Sequence, residues 1–337
     1  MSTPLLELRN VTKIFGSKSN YTVALDDMTL VLDENFPKII AVVGESGSGK
    51  TTTGMLLLGF YGPTMGQVFF RGRSISELKG GDMFRFRREI QAVFQDPFAV
   101  YNPFYKVDNL LSIPIKNFKL ARSKAETREL MADALERVGL RPEETLGRYP
   151  HQLSGGQRQR IAVARALLLK PKFLITDEPV SMVDASLRST ILKSLRAMNQ
   201  EFQIPILYIT HDLTTAYHIS DYIIILYAGS VMEAGNVDSI IREPNHPYTR
   251  LLVSSIPWPD PDLQWGGSEE LIQKSQVAFV AITGCKFAPR CPYKMDICET
   301  KAPDLFLPQR DRAVACYLYR ENTVMPREEL SSVFAEA

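Results

Sequence analysis

Short apolar runs recur along the chain, and each ends at a polar or glycine-rich turn. Ile39 to Val43, within "KIIAVVGESGSGKTTTGMLLLGF", is a β-branched run of the kind found in strands buried on both faces, and a helix-forming stretch follows its glycines. Phe173 to Thr176, in "KPKFLITDEPVSMVD", predicts a second buried strand that runs into Asp177 and Glu178. "IPILYITHD" predicts a third strand, with His211 at its end, and "QAVFQDP" carries an apolar run to Gln95 before Pro97 breaks the chain. Between these runs the apolar spacing becomes helical. "AETRELMADALERVGL" spaces Leu130, Leu135 and Val138 along one face, and residues 157 to 169 read as a helix that stops at Pro171. Buried strands alternating with helices predict the α/β class. No apolar run approaches the ~18–20 residues of a spanning helix, and "IIILYA" is strand-sized.

Composition adds bounds rather than an activity. The chain has 337 residues, 45% of them hydrophobic, which is long enough to bury a core in more than one structural unit. Its net charge is +1 with acidic and basic residues interspersed, giving no electrostatic case for nucleic acid and no polybasic membrane anchor. The opening residues carry charge at Glu7, Arg9 and Lys13, so they lack the apolar core of a signal peptide. A cytoplasmic protein is the expectation, with any membrane role arriving through a partner.

The chemistry concentrates after the predicted strands. Gly44 to Thr51 fits G-x-x-x-x-G-K-[ST] between a strand and a helix. Its glycines let successive backbone N–H groups turn toward phosphates at the positive end of the helix, with Lys50 reaching the β- and γ-phosphates and Thr51 a Mg²⁺ ligand. Asp177 is placed to hold the metal, and Glu178 to polarise an attacking water. His211 ends a strand where ligands collect in open α/β sheets. Ser154, Gly155 and Gly156 open a second helix and predict a further anion-binding N-terminus, without a lysine equivalent to Lys50.

All four cysteines lie near the end of the chain, as C-x5-C-x6-C-x17-C at Cys285, Cys291, Cys298 and Cys316. A reducing compartment argues against two disulfides, and the close C-x2-4-C pairs usual for zinc are missing. An iron–sulfur cluster, zinc and free thiols all remain open on spacing.

In order along the chain, these segments resemble the ATP-binding cassette (ABC) family. They match its Walker A, its Q-loop at Gln95, its "LSGGQ" signature, its Walker B, its D-loop from Ser181 to Asp184 and its H-loop at His211. The resemblance implies a RecA-like P-loop ATPase core at 1–96 and 166–240, an inserted α-helical signature subdomain at 97–165, and a small Cys-rich extension at 241–337. It implies phosphate contacts along Gly44, Glu45, Ser46, Gly47, Ser48, Gly49, Lys50, Thr51 and Thr52, and Mg²⁺ held by Thr51, Gln95 and Asp177. Glu178 resembles the general base and His211 the γ-phosphate sensor, while Phe15 or Tyr21 would stack on adenine. Ser154, Gly155, Gly156 and Gln157, with Asp184 of the D-loop, would serve the nucleotide of a second cassette in a two-ATP dimer.

"REPNHPYTRLLVSSIP" and "GCKFAPRCPYKMDIC" are similar to the tail of ATPase subunits of the oligopeptide and dipeptide importer group, which implies a [4Fe–4S] cluster on the four cysteines, with Zn²⁺ as the alternative. That group implies a second, non-identical cassette, two transmembrane permeases, an extracytoplasmic solute-binding protein and a position on the cytoplasmic membrane face. Related systems move oligosaccharides or other solutes, and a soluble cassette ATPase of iron–sulfur assembly is the rival reading. The D-loop departs from the usual Ser-Ala-Leu-Asp, and Thr176 stands where a small apolar residue is usual.

Overall fold

The computed structural model describes residues 3–17, 20–94, 101–181, 183, 185–256 and 283–334. The chain divides into two units, one of Met1–Asp33, Ile39–Glu77 and Ile209–Ala337, the other of Glu34–Lys38 and Leu78–Tyr208.

The first unit begins with a four-stranded antiparallel sheet. Strand β1 (Leu6–Ser17) pairs with β2 (Asn20–Leu32) and with β4 (Met65–Phe70), and β5 (Arg73–Ser74) extends the edge. Leu6 and Leu8 of β1 are buried while Glu7 and Arg9 turn outward and pair with each other at 2.9 Å, the alternation a half-buried strand requires. Between β2 and β4 run β3 (Ile39–Val43) and helix α1 (Lys50–Leu57). All five residues of β3 are buried, and the strand has the boundaries its apolar run predicts. It pairs in parallel with β9 (Tyr222–Tyr227), equally apolar, and β9 continues antiparallel into β10 (Ser230–Asn236).

The tail joins this same sheet. Strand β12 (Arg312–Val314) pairs with β10, β11 (Leu305–Gln309) with β12, and β13 (Thr323–Met325) with β11. Phe287, Leu305, Phe306, Val314, Leu330, Val333 and Phe334 are buried in the unit, with Phe334 against the Tyr222 ring at 5.5 Å. The sequence predicts a tail without apolar periodicity, ordered by its cysteines. Strand addition to β10 and apolar burial supply that order instead, because side chains spaced irregularly along the tail converge once it is laid along a sheet edge.

A buried polar knot fastens the tail. Glu233, fully buried on β10, accepts the N–H groups of Asn245 and His246, each at 3.0 Å. Burial raises the Glu233 carboxyl above its ordinary range and pushes the His246 imidazole down to about 3, so it is neutral. His246 Nδ1 then accepts the N–H of Tyr248 at 3.0 Å and caps α10 (Pro247–Ser254).

The second unit holds the parallel pair β6 (Ile90–Val93) and β7 (Phe173–Asp177) and most of the helices. Helix α4 (Lys124–Arg137) buries Met131, Ala134 and Leu135, and Val138 just past its end, while Leu130 is half-buried. Leu135 and Val138 thus lie on the buried face as predicted, and Met131 and Ala134 widen it. Helix α6 is Gly155–Leu167 and α7 is Ala185–Phe202, the latter burying Ile191, Leu195 and Met198 at helical spacing. Thr176 is fully buried on β7, and its hydroxyl donates to the Leu207 carbonyl at 3.4 Å. That bond gives the polar residue at this unusual position a partner. Strand β8 (Ile206–Thr210) spans the boundary between the units.

Candidate nucleotide site

In the first unit the loop from Gly44 to Gly49 leaves β3 and enters α1. Backbone, not side chains, decides its shape. A Cβ on Gly44 would lie 2.1 Å from the Leu226 carbonyl oxygen, and one on Gly49 2.3 Å from that of Ala24. Gly47 and Gly49 also take φ of 81° and 104°, which disfavours any side chain there. Ser48 accepts an N–H bond from Gly229 at 2.9 Å, and the Gly229 carbonyl accepts one from Asp26, so the β9–β10 turn braces the loop from outside. No side chain caps the α1 N-terminus among the described residues. A helix start with that preceding loop is a ready anion site. Lys50 is 5% exposed, and its Nζ donates to the loop carbonyls of Gly44 at 2.7 Å and Glu45 at 2.8 Å. The predicted phosphate residues therefore come together as one cradle around a buried cation.

The β1–β2 hairpin brings the two adenine candidates side by side, since Phe15 pairs with Thr22 and Gly16 with Tyr21. Both rings are exposed at the surface, and Phe15 also meets the Tyr61 ring edge-on at 5.4 Å and Lys13 Nζ at 5.0 Å. His211 is exposed at the carboxyl end of β8. Its loop is set by Asp212, whose side chain caps α8 (Leu213–Ile219) and whose N–H donates to the Thr210 hydroxyl at 3.0 Å.

Sequence reasoning did not find two residues that hold this loop. Tyr248 is fully buried, and its hydroxyl accepts the N–H of Glu45 at 2.9 Å. Arg290 grips the Glu45 carboxylate with two bonds, Nη1 to Oε2 at 2.9 Å and Nη2 to Oε1 at 3.0 Å. Both come from the tail, 203 and 245 residues along the chain, where no local pattern marks them.

In the second unit Asp177 ends β7 and is buried, and Glu178 follows with φ of 47°. A glutamate in the left-handed region is uncommon and concentrates at functional sites. Ser181 fixes that turn through N–H and hydroxyl bonds to the Glu178 carbonyl, the latter at 3.0 Å. The predicted anion-binding start of α6 takes a different form. Ser154 Oγ accepts the Gln157 N–H at 3.2 Å and Gln157 Oε1 accepts the Ser154 N–H at 2.9 Å, a reciprocal capping box. Gln157 at the third helical position, its amide folded back, and Ser154 engage each other's N–H, two of the four N–H groups at this helix start. Gln95 and Asp184 lie outside the described residues.

The four thiols are unbonded to one another, Cys285 and Cys298 buried and Cys291 and Cys316 partly so. Burial, reinforced by the neighbouring cysteines, pushes the Cys285 thiol up to about 11 and that of Cys316 up to about 12. The Cys285 N–H donates to the Cys298 carbonyl at 2.8 Å, so those two residues are neighbours in the fold. Yet among the described residues no group of three or more His, Cys, Asp or Glu is placed to hold a metal ion. The expected iron–sulfur cluster, and the zinc alternative, find no support in this geometry.

A strand, glycine loop, buried lysine and helix in this order define a P-loop nucleotide-binding ATPase. The "ABC transporter" family model matches residues 25–181, and the model described as "Oligopeptide/dipeptide transporter, C-terminal region" matches 232–298. The chain is 40% identical over 305 residues to a putative peptide import ATP-binding protein of Brucella ovis, covering 90% of this chain and 94% of that one. It is 39% identical over 320 residues to a putative oligopeptide transport ATP-binding protein of Bacillus subtilis, covering 94% and 96%. Among solved structures, a dimeric ATP-binding cassette in a post-hydrolysis state bound to ADP and Pi is similar with a TM-score of 0.61 and 28% identity, over 69% of this chain and 98% of that one. A second is cbiO1 of Clostridium perfringens, part of an ABC transporter complex, with a TM-score of 0.62 and 27% identity over 72% and 92%. The chain belongs to the ABC transporter ATPases of the oligopeptide/dipeptide importer type, with their RecA-like cassette fold. It is an ATP-hydrolysing transport subunit.

Proposed function

We propose that this chain is one of two cassettes that power uptake of oligopeptides or dipeptides through a membrane permease. The observation that carries the reading is a complete phosphate loop in a chain whose C-terminal region matches the oligopeptide/dipeptide transporter region. No helix of the described residues is long and apolar enough to cross a membrane, so the path for solute belongs to partner chains. The partners in this reading are a second, non-identical cassette, two permease subunits and an extracytoplasmic solute-binding protein, with this chain peripheral on the cytoplasmic face.

In this mechanism Lys50 and the loop N–H groups bind the phosphates, with Phe15 or Tyr21 on the adenine. The cradle and the exposed Thr51 at the first turn of α1 fit a Mg²⁺–nucleotide. Mg²⁺ would be held by Thr51, Gln95 and Asp177, and when bound it neutralises charge on the phosphoryl oxygens. Glu178 takes the proton of the attacking water and His211 contacts the γ-phosphate. Ser154, Gly155, Gly156 and Gln157 close on the nucleotide of the second cassette, aided by Asp184. Glu178→Gln is expected to keep ATP binding while hydrolysis falls at least about a hundredfold, the range of a lost general base. Undiminished phosphate release by the assembled transporter would sink this mechanism.

A [4Fe–4S] cluster on Cys285, Cys291, Cys298 and Cys316, or one zinc, is a proposal that rests on the resemblance of the tail alone; no step is routed through it. Anaerobically purified protein with about four irons and matching sulfide per chain supports the cluster. Protein without metal removes it and leaves the ATPase intact.

A further inference from the structure

Glu45 raises an electrostatic problem. It is the second residue of a loop that must receive a polyanion, and its side chain is 42% exposed. A carboxylate there opposes the triphosphate that Lys50 and the α1 N-terminus attract. The guanidinium that answers it is Arg290, which lies between Cys285 and Cys291 in the tail and is 16% exposed. Its two bonds to Glu45, one from each terminal nitrogen to a separate carboxylate oxygen, form a fork-on-carboxylate pair, the geometry that fixes both charge and orientation. Tyr227, which ends β9, and Phe287 flank the guanidinium, each ring centroid 5.7 Å away. Tyr248 holds the same residue from its backbone side, so the tail grips Glu45 at both N–H and carboxylate.

We propose that Arg290 is a positioning residue of the nucleotide site: it cancels the Glu45 charge and turns that carboxylate away from the phosphates, making tail docking a condition of tight ATP binding. The inference needs only that the loop binds nucleotide, and is independent of the solute, the permeases and any metal on the cysteines. It also gives the tail a task beside the phosphates that folding alone does not require. Tail displacement would leave an acidic loop in place of a neutralised one.

The test is nucleotide titration of the full chain by calorimetry with ATP, ADP and adenosine. Arg290→Ala is expected to weaken ATP about tenfold, ADP less and adenosine not at all, because the added repulsion scales with phosphate charge. Arg290→Lys, which keeps the charge but not the fork, is expected to lose no more than about threefold. In Glu45→Gln/Arg290→Ala the repelling carboxylate is gone, and ATP affinity is expected to return to within about twofold of the parent, the signature of coupling between the two residues. Glu45→Gln alone binds ATP at least as tightly as the parent and does not depend on any arginine variant folding. Equal losses for ATP and adenosine, no recovery in the double variant, or weaker ATP binding by Glu45→Gln would each overturn the proposal.

Discussion

Two turns of similar composition start two helices and reach opposite states. Gly44-Glu-Ser-Gly-Ser-Gly49 leads into α1 without a side-chain cap, and Gly44 and Gly49 leave no room for a Cβ against the backbone of Leu226 and Ala24. Ser154-Gly-Gly156 leads into α6 with both Ser154 and Gln157 engaged in a capping box. The difference lies in the residues at the cap and third helical positions. Gly49 and Thr52 put no cap on α1, whereas Ser154 and Gln157 engage each other's N–H groups at the start of α6. The first turn is prepared for a polyanion on its own. Under the proposed mechanism the second would serve a partner cassette's nucleotide by exchanging bonds that it already makes.

Substitutions at equivalent places should separate the two turns. Gly49→Ala has the largest effect: its Cβ would meet the Ala24 carbonyl at 2.3 Å at a φ of 104°, so ATP affinity is expected to fall more than about a hundredfold in calorimetric titration. A smaller effect attends Ser154→Ala, which loses the cap and costs about 1 kcal/mol in denaturant unfolding of the chain. Gly155→Ala is smallest, because a Cβ there meets nothing within 4 Å, and stability is expected to change by no more than about 0.5 kcal/mol, read by the same unfolding. If Gly49→Ala binds ATP normally, the loop is not the cradle its geometry describes. Should Ser154→Ala leave the unfolding midpoint unmoved, the capping box contributes nothing.

The sequence pattern anticipated the strands with accuracy where burial is complete. Ile39–Val43 has the boundaries of its apolar run, and Phe173–Asp177 extends its run by one residue, because a strand buried on both faces has no polar position to blur its ends. Helix faces were read less exactly. In α4 Met131 and Ala134 join Leu135 in the core, while Leu130 stays half-buried at the margin of that face, which only packing against neighbours decides. The cap of α6 was visible as a serine, but its closure by Gln157 depends on a rotamer that composition does not specify. Thr176 resisted reading for a related reason: its partner, the Leu207 carbonyl, lies 31 residues on.

Local order was enough to predict the cradle, and the order of the motifs carried the resemblance to transport ATPases. Phosphate binding needs glycines, a lysine and a helix start that are neighbours in the chain, and their spacing records it. What the tail does could not be read that way. Its strands join β10, and Glu45 meets Tyr248 and Arg290 across more than two hundred residues, in contacts that exist once the sheet has closed. The fate of the four thiols belongs to the same category. Spacing shows that they can be gathered, but metal binding depends on convergence to within bonding distance, which only the folded arrangement of Cys285, Cys291, Cys298 and Cys316 sets.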